Sequence, residues 1–303
     1  MTFRIRIGRM NRIRSDKHDR GVEAADPNDQ PVPDQISSAA SDSPSWNSRP
    51  RVDSDRHVVD VRCVTHSILP LRHRIQIGDW RLRAEGSVTR VKICCIASVE
   101  EAWLAMSHGA SALGFVSKMP SGPGPIEEGL IASIVQRVPP GVATFLLTCE
   151  TSAEPIIEQQ RRTRVNTIQL VDAVEPGTHR ELRRALPGVS IVQVIHVVGT
   201  ASIEEALAAA SGVDALLLDS GNPTLFVKEL GGTGRVHDWR VSRQIRDRSP
   251  VPVYLAGGLN PSNAADAIRA VEPFALDVCS GVRTDGLLDS AKVAAFMSSV
   301  RSA

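Results

Sequence analysis

Two short stretches of this chain carry residue types suited to moving protons. Val91-Lys92-Ile93-Cys94-Cys95 sets an ammonium and two thiols in an apolar run. Ala215-Leu216-Leu217-Leu218-Asp219-Ser220 closes a second apolar run with a carboxylate. In a strand, side chains alternate, so Lys92 and Cys94 share one face while Ile93 and Cys95 share the other. A cysteine acts as a base or nucleophile once its pKa falls below the usual value of about 8.5; otherwise it is a small buried hydrophobe. Asp219 either caps a loop or exchanges a proton. Three glycine-bearing turns complete the set: Gly231-Gly232-Thr233-Gly234, Gly257-Gly258-Leu259-Asn260 and Ser280-Gly281-Val282. Glycine lets backbone N–H groups approach a phosphate closely, although a turn can also need it only for a positive φ.

These residues belong to a regular series. From Arg90 onward, β-branched apolar runs alternate with amphipathic stretches: 91–96, 112–116, 143–149, 167–171, 190–197, 215–219, 251–256 and 275–279. Each run is almost wholly apolar, as expected of parallel strands covered on both sides. Ser98-Val99-Glu100-Glu101 reads as a capping box, with Ser98 accepting from the Glu101 amide and the Glu101 carboxylate returning to Ser98. Thr200–Glu205 repeats the idea, and Asn260-Pro261 reads as a cap followed by proline at the first helical position. Eight strand–helix units over about 215 residues predict an α/β chain closed as a (β/α)8 TIM barrel rather than a doubly wound open sheet. Ligands of such a barrel meet the loops after the strands, which is where Cys94, Asp219 and the three turns fall. With Ile93 packed on the helices, Lys92 and Cys94 point into the barrel. Phosphate sites usually follow strands 7 and 8, so Gly232, Thr233, Gly234, Gly257, Gly258, Ser280 and Gly281 are the candidate phosphate-binding residues.

Residues 1–88 differ in texture. Arg, Asp, Ser and Pro are mixed without sustained periodicity, as in Asp26-Pro27-Asn28-Asp29-Gln30-Pro31. Such a stretch buries too little apolar surface to offset the entropy of ordering it. The expected division is therefore a disordered or mis-started extension over 1–88 and a catalytic barrel over 89–303. Of the 303 residues, 42% are hydrophobic and 23% charged, with a net charge of +1. So small an imbalance supplies no global field for nucleic acid or a membrane surface. No apolar run approaches the roughly 20 residues that span a bilayer. The 5 cysteines are odd in number and scattered, and no signal peptide precedes them, which points to a reducing, cytoplasmic setting. No C-x-x-C pair suggests a structural zinc site, and no metal is expected.

Taken in order, Val91–Cys94, Ala112-Leu113-Gly114-Phe115-Val116, Ile168-Gln169-Leu170, Ala215–Ser220, Gly231–Gly234 with Asp238-Trp239, Leu255–Pro261 and Asp277–Val282 resemble the phosphoribosylanthranilate isomerase family, the barrel enzymes of tryptophan biosynthesis. The resemblance covers the whole barrel and none of the first 88 residues. It implies an Amadori rearrangement of an N-linked ribosylamine phosphate to an aminodeoxyribulose phosphate, with Cys94 as base and Asp219 as acid. No cofactor is implied, since the cationic Schiff base is itself the electron sink. The partner is a small sugar phosphate, bound by a monomer or homodimer. Lys92, Gln169, Asp277, Lys228 and Arg283 are the expected substrate-binding groups. The chain departs from the family in places. Cys95 stands where the family has glycine; by alternation it should face the helices. After strand 2 the family has Ser-Pro-Arg, whose arginine holds the anthranilate carboxylate. Here Lys118–Pro125 contains no arginine, leaving Lys118, Lys228 and Arg283 as candidate cations. After strand 4, Val171-Asp172 replaces the family's His-Gly, and His196 is an extra polar group near the end of strand 5. The sugar-phosphate half of the pattern is intact and the aglycone half altered. That fits the tryptophan enzyme with a rebuilt pocket, a paralogue acting on another ribosylamine, or a barrel that binds without turnover.

Overall fold

The computed structural model describes residues 80–81, 88–222, 224, 228, 230–231 and 234–303. All lie in the second of the two units into which the chain divides, Leu71–Ala303. The reading of 1–88 as an extension therefore falls almost wholly outside the described residues, as do Gly232 and Thr233.

Apolar runs become strands of three to seven residues because both of their faces are covered. In order they are β1 (Arg90–Ile93), β2 (Ala112–Val116), β3 (Ala143–Thr148), β4 (Thr167–Leu170), β5 (Ser190–His196), β6 (Ala215–Asp219), β7 (Val253–Leu255, the shortest) and β8 (Ala275–Val278). They form a closed parallel barrel in sequence order, with β8 pairing back to β1. Helices α1 (Val99–Ser107), α2 (Glu128–Val135), α3 (Ala153–Thr163), α4 (Thr178–Ala185), α5 (Ala201–Ala210), α6 (Trp239–Arg248) and α7 (Ala264–Val271) join successive strands; α8 (Ser290–Arg301) follows a two-stranded hairpin after β8.

Alternation sorts the strand residues into two apolar layers. Val91, Ile93, Leu113, Phe115, Ile168 and Leu276 point outward against helix residues such as Ile131, Ile134 and Ile156. Ala112, Phe145, Leu147, Val192, Val194 and Leu217 fill the interior. Each buried Leu, Ile or Phe contributes about 1.5–3 kcal/mol. Within the inner layer sits one charged pair: Lys92 Nζ lies 2.9 Å from Asp277 Oδ1, and both side chains are buried. Its ammonium rests 5.2 Å from the centre of the Phe145 ring.

Half of the first capping box forms: the Glu101 amide donates to Ser98 Oγ at 3.2 Å. The Glu101 carboxylate instead accepts from the amides of Ala97 and Leu288 and from Arg283, because the loop after β8 brings that guanidinium against it. Thr200 makes no side-chain cap; Ser202 Oγ takes the Val198 amide at 3.2 Å. Asn260 stabilises a turn through the Ser262 amide, and α7 begins three residues later than the Asn-Pro signal suggests. Upstream of Val88, Trp80 packs on the barrel core, with the Arg246 guanidinium 5.5 Å from its ring. Arg81 donates to the carbonyls of Arg246 and Ser249.

Candidate active site

At the C-terminal ends of the strands a cleft is lined by Cys94, Gln169, Asp219 and Asp277, together with the backbone of Gly234, Gly257, Gly258 and Ser280. Strand geometry explains this gathering. Lys92 and Cys94 both point inward from β1, Lys92 one layer deeper, beneath the floor. Asp277 is registered beside Lys92 on β8, so its carboxylate meets the ammonium below and the cleft above.

The electrostatics of the floor favour a thiolate at Cys94. The Cys95 thiol hydrogen-bonded to it and the nearby Lys92 ammonium draw its pKa below the ordinary value, against burial and Asp277, which push it up. For Lys92, burial disfavours the charge, but Asp277 and then Cys94 outweigh it and raise the pKa. Burial pushes the Asp277 carboxyl up, and Lys92 only partly reverses this. A charged Lys92 under a thiolate is the arrangement that an active general base requires.

Asp219 ends β6 with one oxygen held: Oδ1 accepts from the Ser220 amide at 2.7 Å. Oδ2 faces Gly231, where a Cβ would lie only 2.5 Å from it and where φ is +119°, so glycine is required on both counts. Gln169 is buried with its Oε1 unpartnered among the described residues, an acceptor awaiting a donor from a ligand. At the glycine turns the main chain packs closely. A Cβ on Gly281 would sit 2.0 Å from the Leu259 carbonyl oxygen, so the turn after β8 docks onto the turn after β7 only as glycine.

The residues matching the family described as N-(5'phosphoribosyl)anthranilate (PRA) isomerase run from 91 to 299. The chain belongs to the phosphoribosylanthranilate isomerase family. A family protein from Methanosarcina acetivorans is 33% identical over 226 residues, covering 70% of this chain and 93% of that one. The crystal structure of the Thermotoga maritima isomerase superposes with a TM-score of 0.61 at 30% identity, covering 71% of this chain and all of the other. A family structure in complex with reduced 1-(o-carboxyphenylamino)-1-deoxyribulose 5-phosphate matches at 28% identity and a TM-score of 0.59, with the same coverage of this chain.

Two expected substrate contacts in this isomerase do other work, and a third is already paired. Lys92 is fully buried below the floor, paired with Asp277, and does not line the cleft. Arg283 turns away from the mouth because Glu101 and the backbone claim it. Nη1 donates to Glu101 Oε1 at 2.8 Å, and Nη2 donates to the carbonyls of Cys95 (2.6 Å) and Cys94 (3.2 Å). It fixes the end of β1. Lys228 does not line the cleft either; it is ion-paired with Asp172 at the end of β4. Its carbonyl accepts from Ser121 Oγ at 2.6 Å, joining the loops after β2 and β6.

Cys95 also departs from expectation. Alternation would send it to the helices, but β1 ends at Ile93 and Cys95 has φ +62°, a left-handed backbone. Its side chain therefore swings into the cleft. The family's glycine at this place is what such a φ favours. That mismatch was the signal in the sequence.

His237 was not among the expected site residues. Its Nε2 meets Ser242 Oγ at 2.7 Å, while its buried Nδ1 has no partner among the described residues and lies near Gly257. Burial holds its pKa below the ordinary value, with Asp219 opposing. His196 is a satisfied interior group at one nitrogen only: Nε2 lies 2.9 Å from the Val171 carbonyl. Among the described residues no group of His, Cys, Asp and Glu is arranged to hold a metal ion, and no helix is long and apolar enough to cross a membrane.

Proposed function

We propose that this chain opens and isomerises phosphoribosylanthranilate, with Asp219 as acid and Cys94 as base. The observation that carries the assignment is that both residues line one cleft whose far wall is the backbone of Gly257, Gly258 and Ser280. The phosphate docks on those turns, anchoring one end of the ribose. Asp219 protonates the furanose ring oxygen, and the C1–O bond breaks to leave a Schiff base cation. The Cys94 thiolate takes the C2 proton, and the electron pair moves into the iminium. The enolamine then tautomerises to the ketone, giving 1-(o-carboxyphenylamino)-1-deoxyribulose 5-phosphate. Gln169 supplies its free acceptor to a sugar hydroxyl, and Asp277 holds Lys92 charged beneath the thiolate. The aglycone carboxylate goes to Lys228, which exchanges Asp172 for it.

The test is turnover of phosphoribosylanthranilate by the purified chain, followed by loss of anthranilate-type fluorescence, with rescue of a tryptophan auxotroph lacking this isomerase. Turnover slower than is usual for the family is expected, because a lysine replaces the arginine fork. A protein that binds a ribulose phosphate product analogue yet never turns over the substrate overturns the assignment.

The reaction belongs in the cytoplasm, in a monomer or a homodimer and without nucleic acid. Residues 1–79 are dispensable for it, since every motif lies downstream. A chain begun at Trp80 keeps its kcat/KM, whereas an inactive truncation would give the extension a part in the barrel.

A further inference from the structure

A third thiol stands beside Cys94 and Cys95. Cys279 is the first residue after β8 and Cys95 the second after β1, and the two strands are registered so that the Cys94 amide donates to the Val278 carbonyl at 2.8 Å. The two residues are 184 apart in sequence, yet their sulfurs lie 2.7 Å apart. That is closer than two unbonded sulfurs pack and within about 0.7 Å of a disulfide bond. The left-handed backbone of Cys95 creates the contact by turning its side chain from the helices into the cleft. Arg283 holds that backbone in place through both carbonyls. Both thiols line the cleft; Cys279 is partly buried and Cys95 buried. An oxidant entering the cleft therefore meets Cys279 first.

We propose that Cys95 and Cys279 form an oxidisable dithiol, closed to a disulfide by a peroxide, that reversibly shuts the isomerase. The functional half of this proposal rests on the isomerase reading; the bond itself does not. The Cys279 thiolate attacks the peroxide, forming an S–O bond and breaking O–O, and the departing hydroxide is protonated to water. The Cys95 sulfur then attacks the sulfenic sulfur. The S–S bond forms, S–O breaks, and the second hydroxide leaves as water with the Cys95 proton. Two thiols lose two electrons and one peroxide gains them.

Closure shuts the site in two ways. The Cys95 S–H that stabilises the Cys94 thiolate is lost, so the base is less ionised at a given pH. The bond also pulls on Cys279, the residue before the Ser280–Gly281 phosphate turn.

The experiment exposes the reduced full-length chain to hydrogen peroxide and reads intact mass, peptide map and turnover. The expected result is the loss of two hydrogen masses, a peptide joining Cys95 to Cys279, and a fall in turnover of at least about ten-fold that dithiothreitol restores. Cys279→Ser and Cys279→Ala should both lose the cross-linked peptide and the dithiothreitol-recoverable part of the inactivation, each judged against its own reduced form. Recovery of a Cys94-containing disulfide instead, or of Cys94 oxidised with Cys95 and Cys279 still free, overturns the proposal. So does a complete cross-link that leaves turnover unchanged. Mass and peptide map need no substrate, so a failed isomerase assignment leaves the bond test standing and is told apart from a failed dithiol.

Discussion

Beside β7 and β8 the cleft offers a ligand mostly backbone. Gly257, Gly258 and Ser280 line it, and Gly281 lets one turn dock on the next. Beyond β2 and β4, apart from Gln169, the polar side chains at the mouth are already engaged, with one another or with main-chain carbonyls. Lys228 holds Asp172, the Lys228 carbonyl holds Ser121, and the Cys149 thiol reaches the Lys118 carbonyl at 3.3 Å. The first wall is closely packed main chain, which the proposed function gives to the phosphate. The second must exchange an internal partner for the ligand. Substrate binding should thus draw most of its free energy from the phosphate end, leaving the aglycone end adjustable.

The acid–base pair lies between these two walls and should give the largest effect. Cys94→Ser and Asp219→Asn are each expected to lower kcat by at least about 10²-fold, the scale of a general acid or base. KM should change little, because neither wall is touched. Steady-state turnover of phosphoribosylanthranilate measures both. Retained activity in Cys94→Ser, with loss in Cys95→Ser, would assign the chemistry to the other thiol.

A test of the phosphate wall comes next. Gly281→Ala places a Cβ 2.0 Å from the Leu259 carbonyl oxygen, which forces the two turns apart. Loss of one charge-assisted hydrogen bond to phosphate, about 1.5–3 kcal/mol, corresponds to a rise in KM of about ten-fold or more. The ratio of KM to inhibition by inorganic phosphate separates a lost phosphate contact from general damage, because only the former weakens both. A rise smaller than the one produced at the aglycone wall would reverse the comparison.

The thiol floor predicts a pH effect. Hydrogen bonding from Cys95 is the largest influence lowering the Cys94 pKa. Cys95→Gly removes that donor while suiting the positive φ, so the Cys94 pKa should rise. The acid limb of the kcat/KM profile then moves to higher pH, and activity near neutrality falls because less thiolate is present. An unmoved limb would mean that Lys92 alone sustains the thiolate.

Much of this architecture was legible in the sequence. Apolar runs with inward Lys92 and Cys94 on β1, and Asp219 closing β6, followed from alternation and strand count, which depend on backbone periodicity. The glycine turns were legible for the same reason. Arg283 was misread because its partners, Glu101 on α1 and the carbonyls ending β1, come from distant parts of the chain. Cys95 was misplaced because alternation was carried past the end of a strand into a left-handed residue. The pairing of Lys228 with Asp172 was not legible, because nothing in its neighbourhood in the chain pointed to Asp172.

The smallest expected effect lies at Lys228, and it bears most directly on the altered wall. Its side chain is 46% exposed and that of Asp172 only 9%. An anthranilate carboxylate that takes the ammonium leaves the Asp172 carboxylate with the Ala173 amide at 2.9 Å and without its cation. Much of the attraction gained is thereby given back, and a partly exposed pair is worth only about 0.2–1 kcal/mol. Lys228→Ala should therefore raise KM no more than about five-fold and lower kcat less than that. Asp172→Asn tests the same exchange with the opposite sign: freed from its partner, Lys228 becomes more available and KM should fall. If both substitutions raise KM, Asp172 itself holds the aglycone end, and the anthranilate carboxylate is met elsewhere in the mouth. If neither moves it, the aglycone wall contributes nothing to binding, and the contrast between the two walls is complete.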